Sequence, residues 1–270
     1  MWEEPCISGE HGSGAVFFSG CTLRCIFCQN AEIAAAHVGK KITVERLSDI
    51  FLELQDKCAN NINLVTATHF VPQVAEALIK AKNKGLVIPV VYNSSAYENV
   101  STLNMLDGLV DVYLPDMKYI DSRLSAEYSK APDYADVAKA AIHEMVRQTG
   151  KPEFFIVDDE LVKSGRVEAG IMKKGVIVRH LVLPGTTKDS KAVIKYLIDT
   201  YGDDIYISIM SQYTPFERLK KHPLLSRKVT RKEYNSVVDY AIDCGINNGF
   251  IQEGDVAEES FIPEFDYEGI

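Results

Sequence analysis

Six cysteines occur in the chain, and three of them fall within eight residues at the spacing C-x3-C-x2-C. These three are Cys21, Cys25 and Cys28. Thiolates are the usual ligands of iron–sulfur clusters, and a cubane normally takes four of them. A loop that supplies three leaves the fourth iron without a protein ligand and open to a small molecule. The spacing therefore predicts a [4Fe–4S] cluster with one exchangeable position.

A structural zinc site is the alternative for the same cysteines. Zinc prefers four closed ligands, often in two C-x2-C pairs, and this sequence contains no second pair. Cys58, Cys244 or a histidine could complete such a site, although none stands at a typical spacing. Three buried core cysteines are a weaker alternative, because Arg24 lies within the loop. A disulfide framework is unusual in a cytosolic chain of this size.

The composition is that of an ordinary globular protein, with 270 residues of which 46% are hydrophobic and 25% charged. No apolar run approaches the roughly 20 residues of a membrane helix, and the acidic N-terminus does not resemble a signal peptide. We therefore expect a cytosolic protein without a membrane partner. The net charge of -9 repels phosphate backbones and disfavours nucleic acid, although a local basic patch could still dock an acidic redox protein.

Apolar strand-like runs and helical patterns alternate about six times along the chain. We expect strands at 15–18, 62–66, 87–92, 110–114, 175–183, 205–210 and 250–251. We expect helices at 43–57, 71–84, 100–106, 133–149, 188–201 and 230–244. Continuous apolar strands are typical of a parallel sheet covered by helices on its outside, but periodicity does not distinguish an open sheet from a partial barrel. The charged segment 151–174 is interpreted as an insertion or a hairpin.

The stretch from Cys21 to Cys28, with Phe27 before its last cysteine, resembles the motif of the radical S-adenosylmethionine superfamily. The resemblance implies an α/β fold, a partial (β/α)6 TIM-like barrel with parallel strands and outer helices. It also implies a [4Fe–4S] cluster whose open iron chelates S-adenosylmethionine. One electron from flavodoxin or ferredoxin then releases a 5′-deoxyadenosyl radical that abstracts hydrogen from a substrate. We interpret residues 1–270 as a single domain of this kind, with a core at about 12–252 and an acidic C-terminal tail.

Within the superfamily the chain is similar to the pyruvate formate-lyase activating enzymes, and most to an activase-like subgroup. The similar stretches are residues 18–21, 28–30, 114–118 and 178–185. The resemblance implies an oxidoreductase that acts on a partner polypeptide, such as a glycyl radical enzyme. The alternatives are a radical enzyme that modifies a small molecule or another peptide residue, and a non-enzymatic metal-stabilised scaffold. Longer relatives carry extra cysteines upstream, and we expect no second N-terminal cluster here.

Polar residues recur where the expected strands end, which is where a parallel α/β barrel binds its ligand. Thr66, Thr68 and His69 follow the second strand. Many superfamily members have Gly-Gly-Glu at this place, holding the amino group of S-adenosylmethionine, and any of the three residues is a candidate for that role. The alternative is that Thr68 caps the helix that starts near Val71.

Five further candidates come from the next strands. Asn93 and Ser95 could hydrogen-bond the ribose or carboxylate of S-adenosylmethionine, with a simple turn as the alternative. Asp116 and Lys118 resemble the Asp-x-Lys motif of the activating enzymes, with an exposed surface pair as the alternative. Arg179 lies among apolar residues and needs an acceptor, which S-adenosylmethionine or a buried ion pair would supply.

Three aromatic or polar residues complete the expected site. The family position of Phe27 borders the adenine, and a core contact of Phe27 is compatible with that role. We expect His180 to face the opposite side of its strand and to be structural, and Gln212 is a weaker candidate. The substrate pocket would be lined by loops that include 151–174, and no residue there identifies the substrate.

Overall fold

The computed structural model describes residues 4–36 and 38–252, so the acidic tail expected after Gln252 lies outside the described residues. The strands are β1 (Gly14–Phe17), β2 (Ile62–Val65), β3 (Val90–Ser94), β4 (Val112–Pro115), β5 (Glu153–Phe154), β6 (Met172–Leu181), β7 (Tyr206–Met210) and β8 (Gly249–Ile251). The helices are α1 (Pro5–Ser8), α2 (Ala31–Ala34), α3 (Val44–Asp56), α4 (Val71–Asn83), α5 (Val100–Leu103), α6 (Ser122–Ser129), α7 (Tyr134–Thr149), α8 (Glu160–Lys163), α9 (Thr187–Tyr201) and α10 (Arg231–Asp243).

Seven strands form one parallel sheet in the order β1-β2-β3-β4-β6-β7-β8. Helices of the intervening connections cover its outer face, which confirms the expected partial barrel. β2 and β3 are buried at every position, as continuous apolar strands predict. Within the described ranges, no helix combines the length and the apolar character that crossing a lipid bilayer requires.

The segment 151–174 contains a hairpin, in agreement with one of its two interpretations. β5 pairs antiparallel with the start of β6, and α8 lies between them. The Glu168 carboxylate, just before β6, accepts the backbone N–H groups of Glu10 and His11. The hairpin is therefore tied to the N-terminal segment on the amino side of the sheet.

One predicted strand boundary is wrong and one helix was missed, and both differences matter for the site. β3 begins at Val90, because the N–H groups of Val87 and Ile88 bond the Gln55 side chain rather than a neighbouring strand. β3 also ends later than expected, at Ser94. The helix α6 was not predicted, because its eight residues have little apolar periodicity; Asp121 caps it by accepting the N–H of Arg123.

Alternating strand residues separate an inner core from an outer one. Val91, Leu114 and Ile177 pack together inside the barrel with Cys6 and Ile7 of α1. Their sequence neighbours belong to the larger core between the sheet and the helices: Tyr92, Tyr113, Val176 and Val178. The inner core contains the first residues of several strands, so its apolar packing fills the amino end of the barrel. Inner positions farther along the strands are left for polar side chains.

Candidate active site

Three of the predicted site residues lie on the inner face of the barrel by strand periodicity. Asn93 is two residues after Val91, and Arg179 is two residues after Ile177, so each shares the inward face of its apolar predecessor. Asp116 follows Leu114 by two residues and bridges to Arg179 just beyond the end of β4. The sheet therefore brings the three side chains together at its carboxyl end.

These side chains form one charged network. Arg179 Nε donates to Asp116 Oδ1 over 3.0 Å, and its Nη2 donates to Asn93 Oδ1 over 2.6 Å. Lys118 Nζ donates to Asp116 Oδ2 over 2.6 Å. The side chains of Lys118, Asp116 and Arg179 are 18%, 19% and 13% exposed, which rules out the alternative of a surface pair. The buried ion pair considered for Arg179 is present.

Mutual attraction keeps this network ionised. Burial alone would raise the pKa of Asp116, but the charges of Lys118 and Arg179 outweigh it and lower the pKa. Burial alone would lower the pKa of Lys118, but Asp116 and Cys25 outweigh it and raise the pKa. Two cations, Lys118 and Arg179, therefore share the Asp116 carboxylate at this edge of the sheet. Cations in such a place suit an anionic ligand such as the carboxylate of an amino acid.

The three-cysteine loop is held from two sides. The N–H groups of Arg24 and Ile26 bond the carbonyls of Ser129 and Tyr128, at the end of α6. On the other side, the Arg218 guanidinium donates to the carbonyls of Ile26 and Cys28. These bonds fix the path of the loop directly beyond the carboxyl end of β1.

The three thiols are half-buried and share one electrostatic environment. Burial raises the pKa of Cys28 to about 11, with a further contribution from the charge of Cys25, and burial also raises the pKa of Cys21. The Lys118 ammonium opposes both increases and interacts with Cys25 as well. A single cation therefore lies within electrostatic reach of all three thiols.

This donor set fits a cluster better than a single ion. Across the part of the chain that the structure describes, no group of three or more His, Cys, Asp or Glu side chains could hold one metal ion. A cubane binds each thiolate to a different iron atom, so its ligands are spread over a larger volume. Three half-buried thiols on one loop held by backbone hydrogen bonds are the donor type that such a cluster takes.

The three candidate residues after β2, Thr66, Thr68 and His69, have hydrogen-bond partners within the protein. Thr66 has φ +62°, a left-handed conformation that is strained for a β-branched residue, and its N–H bonds the carbonyl of Asn93. The alternative in which Thr68 caps the next helix is not found, because its hydroxyl donates to Glu98 Oε1 over 2.6 Å. The His69 ring lies against the Ser19 carbonyl, with Nε2 at 2.7 Å.

Glu98 is a buried carboxyl group that sequence reasoning missed. It is 3% exposed and accepts hydrogen bonds from Thr68 and Tyr92. Burial raises the pKa of Glu98 to about 7, because these bonds do not offset the cost of removing the charge from water. It therefore supports the turn after β2 through Thr68.

The raised pKa of Glu98 predicts a pH-dependent stability. A carboxyl whose pKa is higher in the folded than in the unfolded state stabilises the fold below the unfolded pKa, and this contribution is lost as pH rises through about 7. We expect wild-type stability to fall by roughly 2–3 kcal/mol between about pH 5 and pH 8 relative to Glu98→Gln. Denaturant unfolding of both proteins across this range measures the difference; parallel pH profiles would contradict the assignment.

The remaining predicted residues take varied places. Phe27 is buried and meets Tyr213 edge-on, at 6.3 Å between ring centroids, so the core contact is present. His180 is buried on the outer face, where its Nδ1 donates to the Met117 carbonyl over 2.7 Å, and burial lowers its pKa to about 4. The Gln212 carbonyl lies 3.4 Å from the Gln29 amide nitrogen that donates to it.

Tyr134 connects the ends of two strands, and the sequence carried no signal for it. Its hydroxyl oxygen lies 2.6 Å from the carbonyl of Asp116 and 2.8 Å from that of Ser95, and it accepts the N–H of Lys118. Tyr134 begins α7, in a region where only helical periodicity was visible. Its contacts join the ends of β3 and β4, where four predicted residues lie.

The family pattern of the Radical SAM superfamily matches residues 15–197. The chain belongs to the radical S-adenosylmethionine superfamily. Enzymes of this superfamily use a [4Fe–4S] cluster and S-adenosylmethionine, and these are the cofactors of this chain. The match includes the cysteine loop, the charged network and Arg179.

The chain is similar in sequence to one relative and in fold to several solved structures. An uncharacterized protein of Methanocaldococcus jannaschii is 28% identical over 248 residues, covering 89% of this chain and 64% of the relative. Streptococcus suis SuiB bound to S-adenosylmethionine superimposes with a TM-score of 0.56 at 15% identity, over 90% of this chain and 47% of SuiB. HydG, a maturase of the [FeFe]-hydrogenase, gives 0.53 at 13% identity, over 88% of this chain and 50% of HydG. At such identities the structural likeness shows the fold.

Proposed function

We propose that this chain is an activating enzyme that abstracts hydrogen from a partner polypeptide, with its cluster on Cys21, Cys25 and Cys28. The observation that carries the proposal is the position of Lys118, whose charge acts on all three thiols while its ammonium bonds Asp116. Asp116 and Lys118 resemble the Asp-x-Lys motif of the activating enzymes, and their electrostatic link to the cysteine loop supports the proposal. When bound, the cluster supplies the electron that cleaves S-adenosylmethionine to a 5′-deoxyadenosyl radical.

The residues of the chain bind and orient the cofactor in this proposal. The cations Lys118 and Arg179, which share Asp116, attract the carboxylate of S-adenosylmethionine. Asn93, whose Oδ1 accepts a hydrogen bond from Arg179, is the candidate for hydrogen-bonding the ribose. Thr66 and Thr68, on the turn supported by Glu98, are the candidates for its amino group, and the half-buried loop limits access of water to the thiols.

A polypeptide substrate is the finer part of the proposal. It rests on the activase-like stretches at residues 114–118 and 178–185, which supply the charged network. SuiB has also been solved bound to the precursor peptide SuiA, so this fold accommodates a polypeptide. A small-molecule substrate is the second candidate, because polar groups at the carboxyl end of a barrel can bind a small molecule as well as a polypeptide.

The test is reductive cleavage by the anaerobically reconstituted protein. With S-adenosylmethionine and dithionite we expect 5′-deoxyadenosine to be released, together with about four iron and four sulfide per chain, as a cubane requires. Protein that contains zinc, or that is fully loaded with iron but releases no 5′-deoxyadenosine, would overturn the enzyme assignment. Incubation with candidate glycyl radical polypeptides should then give a glycyl EPR doublet. If 5′-deoxyadenosine instead acquires its hydrogen from a small molecule, the activating role is wrong.

We further propose that a flavodoxin or ferredoxin delivers the electron over the cluster-loop face, meaning residues 21–30, 127–130 and 216–222. In these segments the exposed cations are Arg24, Lys130, Arg218, Lys220 and Lys221. The carboxylates there are Glu127 and Glu217. On a chain with a net charge of -9, this local positive excess favours an acidic protein.

The docking face predicts a reductant-dependent defect. We expect the double variant Lys220→Glu, Lys221→Glu to slow donor-protein-driven cleavage about tenfold at low salt, because steering is lost. Dithionite needs no docking, so the dithionite-driven rate should be unchanged. The matched control is Lys173→Glu with Lys174→Glu, at the start of β6 on the amino side of the sheet. Equal slowing with both reductants would show that the lysines act on the site itself.

A further inference from the structure

A chain of two hydroxyl groups ends on one of the three thiols. Ser129 Oγ lies 3.0 Å from Cys25 Sγ, and Tyr119 Oη lies 2.9 Å from Ser129 Oγ. Ser129 is the last residue of α6, and Tyr119 lies in the connection that precedes it. Both residues are 1% exposed, so water does not compete for these hydrogen bonds.

The chemistry of the ligand fixes the direction of this chain. A cysteine that binds iron is a thiolate without a proton, so Ser129 has to donate to Cys25. The oxygen of Ser129 is then an acceptor, and Tyr119, whose hydroxyl is protonated at neutral pH, donates to it. A donor that itself accepts a hydrogen bond is polarised and donates more strongly.

We propose that Ser129, backed by Tyr119, is a positioning residue that donates a hydrogen bond to the Cys25 thiolate and raises the reduction potential of the cluster. The proposal rests on the proposed function, because it needs the cluster on this loop. Reduction adds negative charge to the cluster and its sulfur ligands, so a donor to sulfur stabilises the reduced state more than the oxidised one. Hydrogen bonds to the sulfurs are among the factors that set the potentials of such clusters.

Cys25 differs from the other two cysteines in the group that donates a hydrogen bond to its sulfur. Cys21 and Cys28 interact with the backbone N–H groups of Leu23 and Asn30, which substitution of a side chain leaves in place. The donor to Cys25 is a side-chain hydroxyl from a separate element, α6. The potential can therefore be changed by substitution at this position without altering the loop sequence.

The loop keeps its place when the hydroxyl is removed. The carbonyls of Ser129 and Tyr128 accept the N–H groups of Arg24 and Ile26, and both bonds belong to the backbone. Ser129→Ala therefore removes the donor while the attachment of the loop to α6 is retained. A change in potential then reports the hydrogen bond rather than a displaced loop.

The experiment is an EPR-monitored redox titration of the reconstituted cluster without S-adenosylmethionine, with iron and sulfide content measured on the same samples. We expect Ser129→Ala to make reduction about tenfold less favourable, a shift of about 59 mV to more negative potential for one electron. Tyr119→Phe should shift it in the same direction by less, and Ser129→Thr should retain the wild-type value. The control Ser125→Ala, in the same helix, removes a buried hydroxyl that donates to the Ser122 carbonyl, and should have no effect.

The outcomes separate this proposal from the proposed function. A wild-type protein without a cluster would refute the function. A fully loaded Ser129→Ala protein with the wild-type potential, or an equal shift in Ser125→Ala, would refute the hydrogen bond alone. If Ser129→Ala fails to load a cluster, Tyr119→Phe tests the proposal instead, because it removes one oxygen that does not touch the loop. A more negative reduction potential in Tyr119→Phe supports the chain of donors, and an unchanged potential overturns it.

Discussion

Replacement of any one of Cys21, Cys25 and Cys28 by alanine is expected to abolish the release of 5′-deoxyadenosine. In the proposed site each thiolate binds a different iron atom of the cubane, so the loss of one is not compensated by the other two. Loss of an outer-shell partner alone costs about 10–100-fold in metal affinity or activity, so loss of a direct ligand should exceed that range. Iron and sulfide content, together with the cleavage assay under dithionite, measures both effects on the same samples.

The chain offers matched controls for this experiment. Cys58 is exposed and Cys244 is half-buried, and neither belongs to the loop. Cys58→Ala and Cys244→Ala should retain full iron content and activity. If iron stays bound when Cys25→Ala and Cys28→Ala are combined, the cluster is not on this loop. Loss of iron in Cys244→Ala would instead point to a four-cysteine site and revive the zinc interpretation.

Removal of the Asp116 carboxylate should destabilise the protein more than removal of either of its partners. Asp116→Asn removes the carboxylate that Lys118 and Arg179 share, and leaves their two positive charges close together. Breaking a buried ion pair from one side costs about 3–5 kcal/mol, because an uncompensated charge remains inside. Lys118→Met should cost less, since Asp116 and Arg179 still form a pair. Denaturant unfolding of the anaerobic protein measures the order.

A double variant tests whether charge is the cause. Asp116→Asn combined with Lys118→Met leaves one buried cation instead of two, so it should be more stable than Asp116→Asn alone. Asp121→Asn is the control, because Asp121 forms a comparable pair with Arg123 on the surface, where ion pairs contribute little. An Asp116→Asn protein as stable as this control would show that the network is not a structural unit.

Strand polarity explains why the fold and much of the candidate site followed from local patterns. Continuous apolar runs separated by helices identified the parallel sheet, and parallel strands place all their carboxyl ends at one edge. Asn93, Asp116 and Arg179 were therefore expected near one another. Their hydrogen bonds agree with that expectation.

The contacts of the loops were beyond local patterns. Thr68 was considered as a cofactor contact or a helix cap, and its hydroxyl bonds Glu98, thirty residues away, which neither interpretation named. Helix α6 was missed because it has little periodicity, yet Ser129 at its end touches Cys25, 104 residues earlier in the chain. Such pairs depend on how two connections meet above the sheet, and nothing in either segment alone specifies the partner.

The amino-acid sequence by itself determined the cysteine loop, the alternation of strands and helices, and the polar residues at strand ends. Each of these is local, because ligand spacing, apolar periodicity and chain breaks are properties of short segments. Only the tertiary structure decided which charges pair, that Lys118 reaches all three thiols, and that Ser129 and Tyr119 stand behind Cys25. Those contacts join distant segments. They are selected because a buried polar group without a hydrogen-bond partner costs free energy.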